Sequence, residues 1–192
     1  DAREHGVEVR GVDINHSEWD NSLEDVANGD HPHALRIGLR QIDGFREEWA
    51  KFMAAVRPFR SIEQLAHQAK LPARALRLLA DADACRSIGL DRRQALWEVR
   101  RTPSNTLPLF EAAQAREQAD EEDARLPAMT KSEHVVTDYQ SIRLSLKGHP
   151  MEFLRDRFRA MNVMSCAEIA KAKNGSFARV AGVVLIRQRP GK

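Results

Sequence analysis

The residues of this sequence whose types and spacing could do bond-making chemistry are few, and each set has a plainer reading. His16, His31 and His33 fall within eighteen residues of one another, beside Asp13, Asp20 and Asp30. Histidines and carboxylates can bind a divalent ion, but this spacing fits no closed zinc pattern, so a polar loop is expected there and no metal is assigned. Asp81-Ala82-Asp83 has the Asp-x-Asp spacing by which nucleotidyl transfer holds two metal ions. It follows an apolar helical run, however, and reads as a helix end. His149, directly before Pro150, reads as a helix start. No Gly-rich phosphate loop and no Ser-His-Asp set is present, and no catalytic residue is assigned.

What the sequence does offer is a way to hold a phosphate. Ile37 to Trp49 (IGLRQIDGFREEW) has the outline of a helix, a short hairpin at Asp43 and Gly44, and a second helix. In such a hairpin the first backbone N–H groups of the second helix lack intrahelical partners and point outward, where they can cradle a phosphate; glycine permits the close approach. This chemistry reads backbone, not base sequence. Leu76 to Gly89 (LRLLADADACRSIG) repeats the outline, and two such units in tandem can grip two phosphates of a duplex.

The elements that must position these hairpins follow from periodicity and caps. Val7 to Ile14 alternates, and Ala34 to Leu39 can pair back on it, giving a small β element. Trp49, Phe52, Met53 and Val56 have helical spacing, and Pro58 stops that helix. Ser61 with Gln64 makes a capping box for the next one, Pro72 sits as the first residue of a third, and Asp91 caps a fourth with Ala95, Leu96 and Val99 inward. After a proline-containing acidic linker, with a short helix at 111–118, Thr130 and Glu133 predict a long helix through Leu146. Pro150 starts a further helix carrying Phe153, Leu154 and Phe158, and Ser165 with Glu168 caps the last, which runs to Asn174 and Gly175. Arg179 to Arg187 reads as a β-branched strand with little chain after it. Because Asp1 also stands where an initiator methionine is usual, the piece is expected to come from a longer chain, with that strand poorly supported.

Charge is unevenly spread. The net is +2 overall, but −7 over residues 1–33, +6 over 34–104, −4 over 105–133 and +7 over 134–192. Two basic, arginine-rich blocks joined by an acidic linker suit phosphate. No run of about 18 apolar residues and no leader is visible. Cys85 and Cys166 stand far apart without a Cys-x-x-Cys partner. A cytoplasmic protein with no membrane contact is expected.

Several phrases, in this order, resemble the bacterial C-family DNA polymerases, most closely their error-prone second alpha subunit, which acts with a mutasome in DNA damage tolerance. They are DAREHGVEVRGVDINHSEWD (1–20), LRIGLRQIDGF (35–45), the stretch from Ser61 to Gly89, SIGLDRRQALWEV (87–99), DYQSIRLSLKGHP (138–150) and RVAGVVLIRQRPG (179–191). The resemblance implies a mainly α fold, DNA polymerase III alpha-like, with tandem helix-hairpin-helix units and short β elements at both ends. It divides the chain into an end-of-fingers region (1–40), the tandem hairpins (41–100), an acidic linker (101–130), a helical lead-in (131–175) and the first strand of an OB-fold (176–192). The function implied is holding primer-template duplex for an error-prone DNA-directed DNA polymerase in translesion synthesis and induced mutagenesis. Magnesium and the catalytic aspartates would belong to the parent enzyme.

The candidate DNA contacts are Gln41, Asp43, Gly44, Phe45, Arg46 and Lys51 at the first hairpin. At the second they are Arg74, Arg77, Arg86, Ser87, Arg92 and Arg93. Two departures from the family stand out: Arg46 replaces a second hairpin glycine, and Asp83 takes a position where glycine is frequent. Asp83 is therefore expected to face the phosphate and weaken the second site, and Asp83→Gly to strengthen it. Leu107, Leu109 and Phe110 resemble the apolar pentapeptides with which bacterial polymerases enter a sliding clamp, without the leading glutamine. Mutasome proteins and the clamp are the implied protein partners. The alternatives are a stand-alone protein-interaction scaffold, or a helix-hairpin-helix glycosylase or lyase using Lys51 or Lys70 as nucleophile.

Overall fold

A computed structural model describes residues 2–26, 31–102, 126–184 and 187–189. The linker helix expected at 111–118 and the clamp-like residues Leu107, Leu109 and Phe110 lie outside the described residues.

The opening segment forms β1 (Val9–Arg10), β2 (Ser22–Asp25) and β3 (His33–Arg36). They make one sheet of order β1-β3-β2, with β3 antiparallel to β2 and parallel to β1. The expected pairing of the two ends is present, but as a parallel pair, since the intervening chain supplies the crossover such a pair needs. Glu24 ties the three strands: its carboxylate accepts from Arg36 Nε at 2.6 Å and from Arg10 Nη1 at 2.6 Å. The hydrogen bond from Arg36, opposed by burial and reinforced by Arg10, pulls the Glu24 carboxyl from 4.5 down to about 2. A depressed folded value means that this stability is complete above the unfolded pKa and is lost as the group is protonated in the native state. The sheet is therefore expected to loosen between pH 4.5 and about 2, seen as a near-ultraviolet dichroism change in that range that Glu24→Gln abolishes. An identical acid transition in the variant would show that other carboxylates set it.

The helices follow their caps. α1 (Glu47–Val56), α2 (Ile62–Gln68), α3 (Ala73–Asp81) and α4 (Arg92–Arg101) come first. Asp91 and Gln94 close a reciprocal capping box on α4. Ser61 accepts from Gln64 N, but the Gln64 side chain reaches back to Arg60 N instead of the cap residue's own N–H. Pro72 is the residue before α3, not its first turn, with extended backbone (φ −68°, ψ 154°).

One core joins these parts. Val12 and Ile14 from the opening segment pack with Leu39, Ile42, Trp49, Met53, Leu65, Leu79 and Ala95, and Ile142 enters from beyond the linker. Buried Ala75, Ala80, Ala82 and Ala84 allow close approach at the second hairpin. The boundary drawn at residue 40 thus crosses a continuous core.

Beyond the linker, α5 (Lys131–Ser141) starts at the expected capping box of Thr130 and Glu133 but stops five residues short of Leu146. The chain then turns back, because Asp138 is buried and needs donors that a continuing helix could not bring: Ser145 Oγ donates to it at 2.7 Å and Lys147 Nζ at 3.1 Å. A 3-10 turn (Pro150–Glu152) and α6 (Arg155–Ala160) replace the single helix expected after Pro150. His149 starts the turn, its Nδ1 accepting from Met151 N at 3.2 Å. α7 (Cys166–Ile169) keeps its Ser165–Glu168 box yet ends well before Asn174. β4 (Val163–Met164) and β5 (Arg179–Val180) pair in parallel, so the final strand has a short partner that the sequence does not advertise. No described helix is long and apolar enough to cross a membrane.

Candidate nucleic-acid interface

The first hairpin is built from a 3-10 turn (Leu39–Gln41), a reversal at Gly44 with φ +78°, and α1. Ile42 and Phe45 are buried and pin the turn to the core; Phe45 meets the edge of Trp49 at 5.3 Å between ring centroids. Phe45 N donates to Ile42 O at 3.1 Å, which closes the reversal. Among the described residues the N–H groups of Gly44, Arg46, Glu47 and Glu48 have no acceptor. These are the donors a phosphate would take.

The charges around them come from several elements. Arg46 precedes α1, lies 5.2 Å from the Trp49 ring centroid, and pairs with Glu48 at 3.3 Å. Glu47, the other acid of the first turn, is tied to Lys51 at 2.9 Å, and the Lys51 hydrogen bond and charge hold its carboxyl below the usual range. Arg74, at the start of α3, has its Nη2 3.4 Å from where a Gly44 Cβ would stand, and is exposed with no ion pair among the described residues. Arg77 lies one turn along α3, exposed, 3.7 Å from Asp81. Gln41 donates to Ile142 O at 2.9 Å, Asp43 N to Ser141 O at 2.9 Å, and Asp43 Oδ2 lies 2.6 Å from Arg143 Nη2.

In the second unit, α3 to α4, the chain itself fills part of the site. Ala82, Asp83 and Ala84 all donate their N–H groups to the end of α3. Ser87 N is taken at 3.1 Å by Asp13 Oδ2, a buried carboxylate of the same chain, while among the described residues the N–H groups of Cys85, Arg86, Arg92 and Arg93 have no acceptor. Asp83 has φ +58° and is 8% exposed, with both oxygens on Arg86 at 2.8 and 3.0 Å and Lys147 Nζ at 3.0 Å. Burial pushes its carboxyl up, but the Arg86 bonds and the Lys147 charge outweigh this and leave it below its ordinary value. It lines a cleft of about 260 Å³ together with Val12, Arg36 and Asp138.

Residues 6–95 match the family model for the helix-hairpin-helix motif, a span that holds the first hairpin and the second as far as the first turn of α4. Over its whole length the chain is 54% identical to the error-prone DNA polymerase of Rhodopseudomonas palustris (strain ATCC BAA-98 / CGA009), 51% to that of Brucella abortus biovar 1 (strain 9-941), and 44% to that of Bradyrhizobium diazoefficiens. The chain is a counterpart of one segment of the error-prone DNA polymerases. It spans 18% of the length of the Rhodopseudomonas and Brucella relatives, and 21% of the Bradyrhizobium one.

Within this chain the expected contacts divide. Gly44, Arg46 and Arg74 meet around unpartnered amides, with Lys51 and Arg77 on the exposed faces beside them. Phe45 and Gln41 serve the fold, as anchor and as a tie to the turn after α5. Arg92, expected at the surface, is corrected: it is 1% exposed, its guanidinium ion-paired with Asp138 and donating to His134 O at 3.1 Å. Ser87 holds Asn15 and Asp13, and Arg93 donates to Pro127 O at 2.5 Å while facing Glu133. Asp83 does not face outward, and Arg86 is bound to it.

The expected effect of Asp83→Gly reverses accordingly. Glycine would relieve the positive φ but leave Arg86 and Lys147 short of a carboxylate, for a net loss of about 1–2 kcal/mol. Denaturant titration should show that loss, with duplex affinity unimproved; a gain in affinity would restore the outward-facing reading. The histidines scatter: His16 binds Asp13, His31 binds His5 O, and His33 binds Asp25. Arg143 is the residue sequence reasoning missed, since it fell inside a predicted helix and no local pattern marks it.

Proposed function

We propose that this segment holds duplex DNA by its phosphates for an error-prone, DNA-directed DNA polymerase acting in damage tolerance. The carrying observation is the Gly44 hairpin, whose free amides open beside Arg46 and Arg74 in a helix-hairpin-helix match. A phosphate oxygen seated there accepts from Gly44 and from the first amides of α1, while the arginines supply charge. Such contacts are blind to sequence, and they suit a protein that must follow a moving primer-template.

The polymerase similarity also suggests a cytoplasmic protein, acting with mutasome proteins and a sliding clamp, the latter through Leu107, Leu109 and Phe110. Magnesium would serve the parent enzyme. Among the described residues no group of three or more His, Cys, Asp or Glu is placed to hold a metal ion. The test is titration of a labelled duplex into the protein. Micromolar-range, sequence-independent, salt-sensitive binding supports the reading, and its absence would favour the scaffold alternative.

A further inference from the structure

Arg143 is held in a backbone conformation that non-glycine residues adopt only when their surroundings impose it, with φ +61°. The surroundings here are the hairpin itself. Ile142 is buried in the core and its carbonyl accepts from Gln41 Nε2 at 2.9 Å, while Ser141 O accepts from Asp43 N at 2.9 Å. The end of α5 and the turn after it are thus fastened at two points to the first hairpin, at Gln41 and Asp43, about a hundred positions earlier in the chain. From that turn the Arg143 guanidinium reaches Asp43 Oδ2 at 2.6 Å, and it stays 70% exposed.

An exposed ion pair of this kind adds little to stability, so stability is a weak reason for the arrangement. Its effect on an arriving anion is larger. Asp43 directly precedes the free N–H of Gly44, and its bare carboxylate would repel a phosphate there. One guanidinium nitrogen neutralises that carboxylate, and the exposed remainder of the fork keeps N–H donors available to an anion.

We propose that Arg143 is a phosphate contact of the hairpin, placed there by the backbone of the turn after α5 and screening the Asp43 carboxylate from the anion. The proposal rests on the DNA-holding reading above. It adds a cation from beyond the linker to a site otherwise made by residues 40–77.

The test uses Arg143→Gly, because glycine accepts the positive φ and removes the guanidinium without disturbing the turn. Duplex affinity at low salt should fall about tenfold and the salt slope should lessen by about 0.9. Asp43→Asn alone should not weaken binding, and added to Arg143→Gly it should recover part of the loss, because the repelling carboxylate is gone. If the two single variants weaken binding alike, the pair is merely structural and the proposal falls. Wild-type affinity and slope in Arg143→Gly would overturn it as well, and Arg143→Asn, also tolerant of this backbone, repeats the measurement should the glycine variant not fold. Arg74→Glu separates the two levels. If it weakens binding while Arg143→Gly does not, the hairpin reading stands and the Arg143 role is lost; if neither matters, both are lost.

Discussion

Arg92→Ala should cost about 3–5 kcal/mol of stability, the largest single-residue effect expected in the described core. Arg92 and Asp138 are both almost fully buried and paired with each other, so removing the cation strands a carboxylate inside the protein. Lys147 also reaches Asp138, at 3.1 Å, and will offset part of the loss, but it is itself shared with Asp83. Burial, with the charges of Lys147 and Arg92, lowers the His134 pKa from its usual value. For a chain of this size each kcal/mol moves the midpoint by roughly 2–4 °C, so thermal unfolding should shift down by roughly 6–20 °C. A shift under about 2 °C would mean that the network relaxes around the cavity and that Arg92 is not needed to hold α4 to α5.

Charge reversal at Arg74 should give the largest functional loss. Arg74 Nη2 lies 3.4 Å from where a Gly44 Cβ would stand, with no ion pair among the described residues, so a glutamate there would lose one cation and put an anion beside the hairpin. The second unit already shows that outcome in the native chain, where the Asp13 carboxylate occupies the Ser87 amide. Arg74→Glu should lower duplex affinity about 10- to 100-fold at low salt, alike for every sequence. Because Arg74 is exposed, the fold should be unaffected, which circular dichroism can confirm. Equal affinity in a folded Arg74→Glu protein would take Arg74 out of the interface.

How much of this was legible in the sequence depends on how far apart the partners lie. The caps at Asp91, Thr130 and Ser165 were readable because donor and acceptor are three residues apart. So was the hairpin at Gly44, whose positive φ is a local demand on one residue. The fates of Arg92 and Asp83 were not, since their partners Asp138 and Lys147 lie dozens of positions away, across the acidic linker. An arginine in a basic helix looks the same in sequence whether it meets solvent or a buried carboxylate. Likewise, α5 was drawn too long because periodicity continues past Ser141, while the reason it stops is the need of Asp138 for Ser145 and Lys147. Arg143 was hidden by the same error.

The central claim, that residues around Gly44 hold duplex through phosphates, is tested most directly by the salt dependence of duplex binding. Fluorescence anisotropy would be measured on the wild-type protein and on Arg46→Glu over a salt series, with duplexes of unrelated sequence. Neutralising about four phosphates gives a slope of roughly −3 to −4 in log affinity against log salt, near micromolar affinity, and the same values for each duplex. Arg46→Glu should weaken every duplex equally and flatten the slope, because a carboxylate would then face the anion at the start of α1. A wild-type slope near zero, or Arg46→Glu matching wild type across the series, would contradict the account.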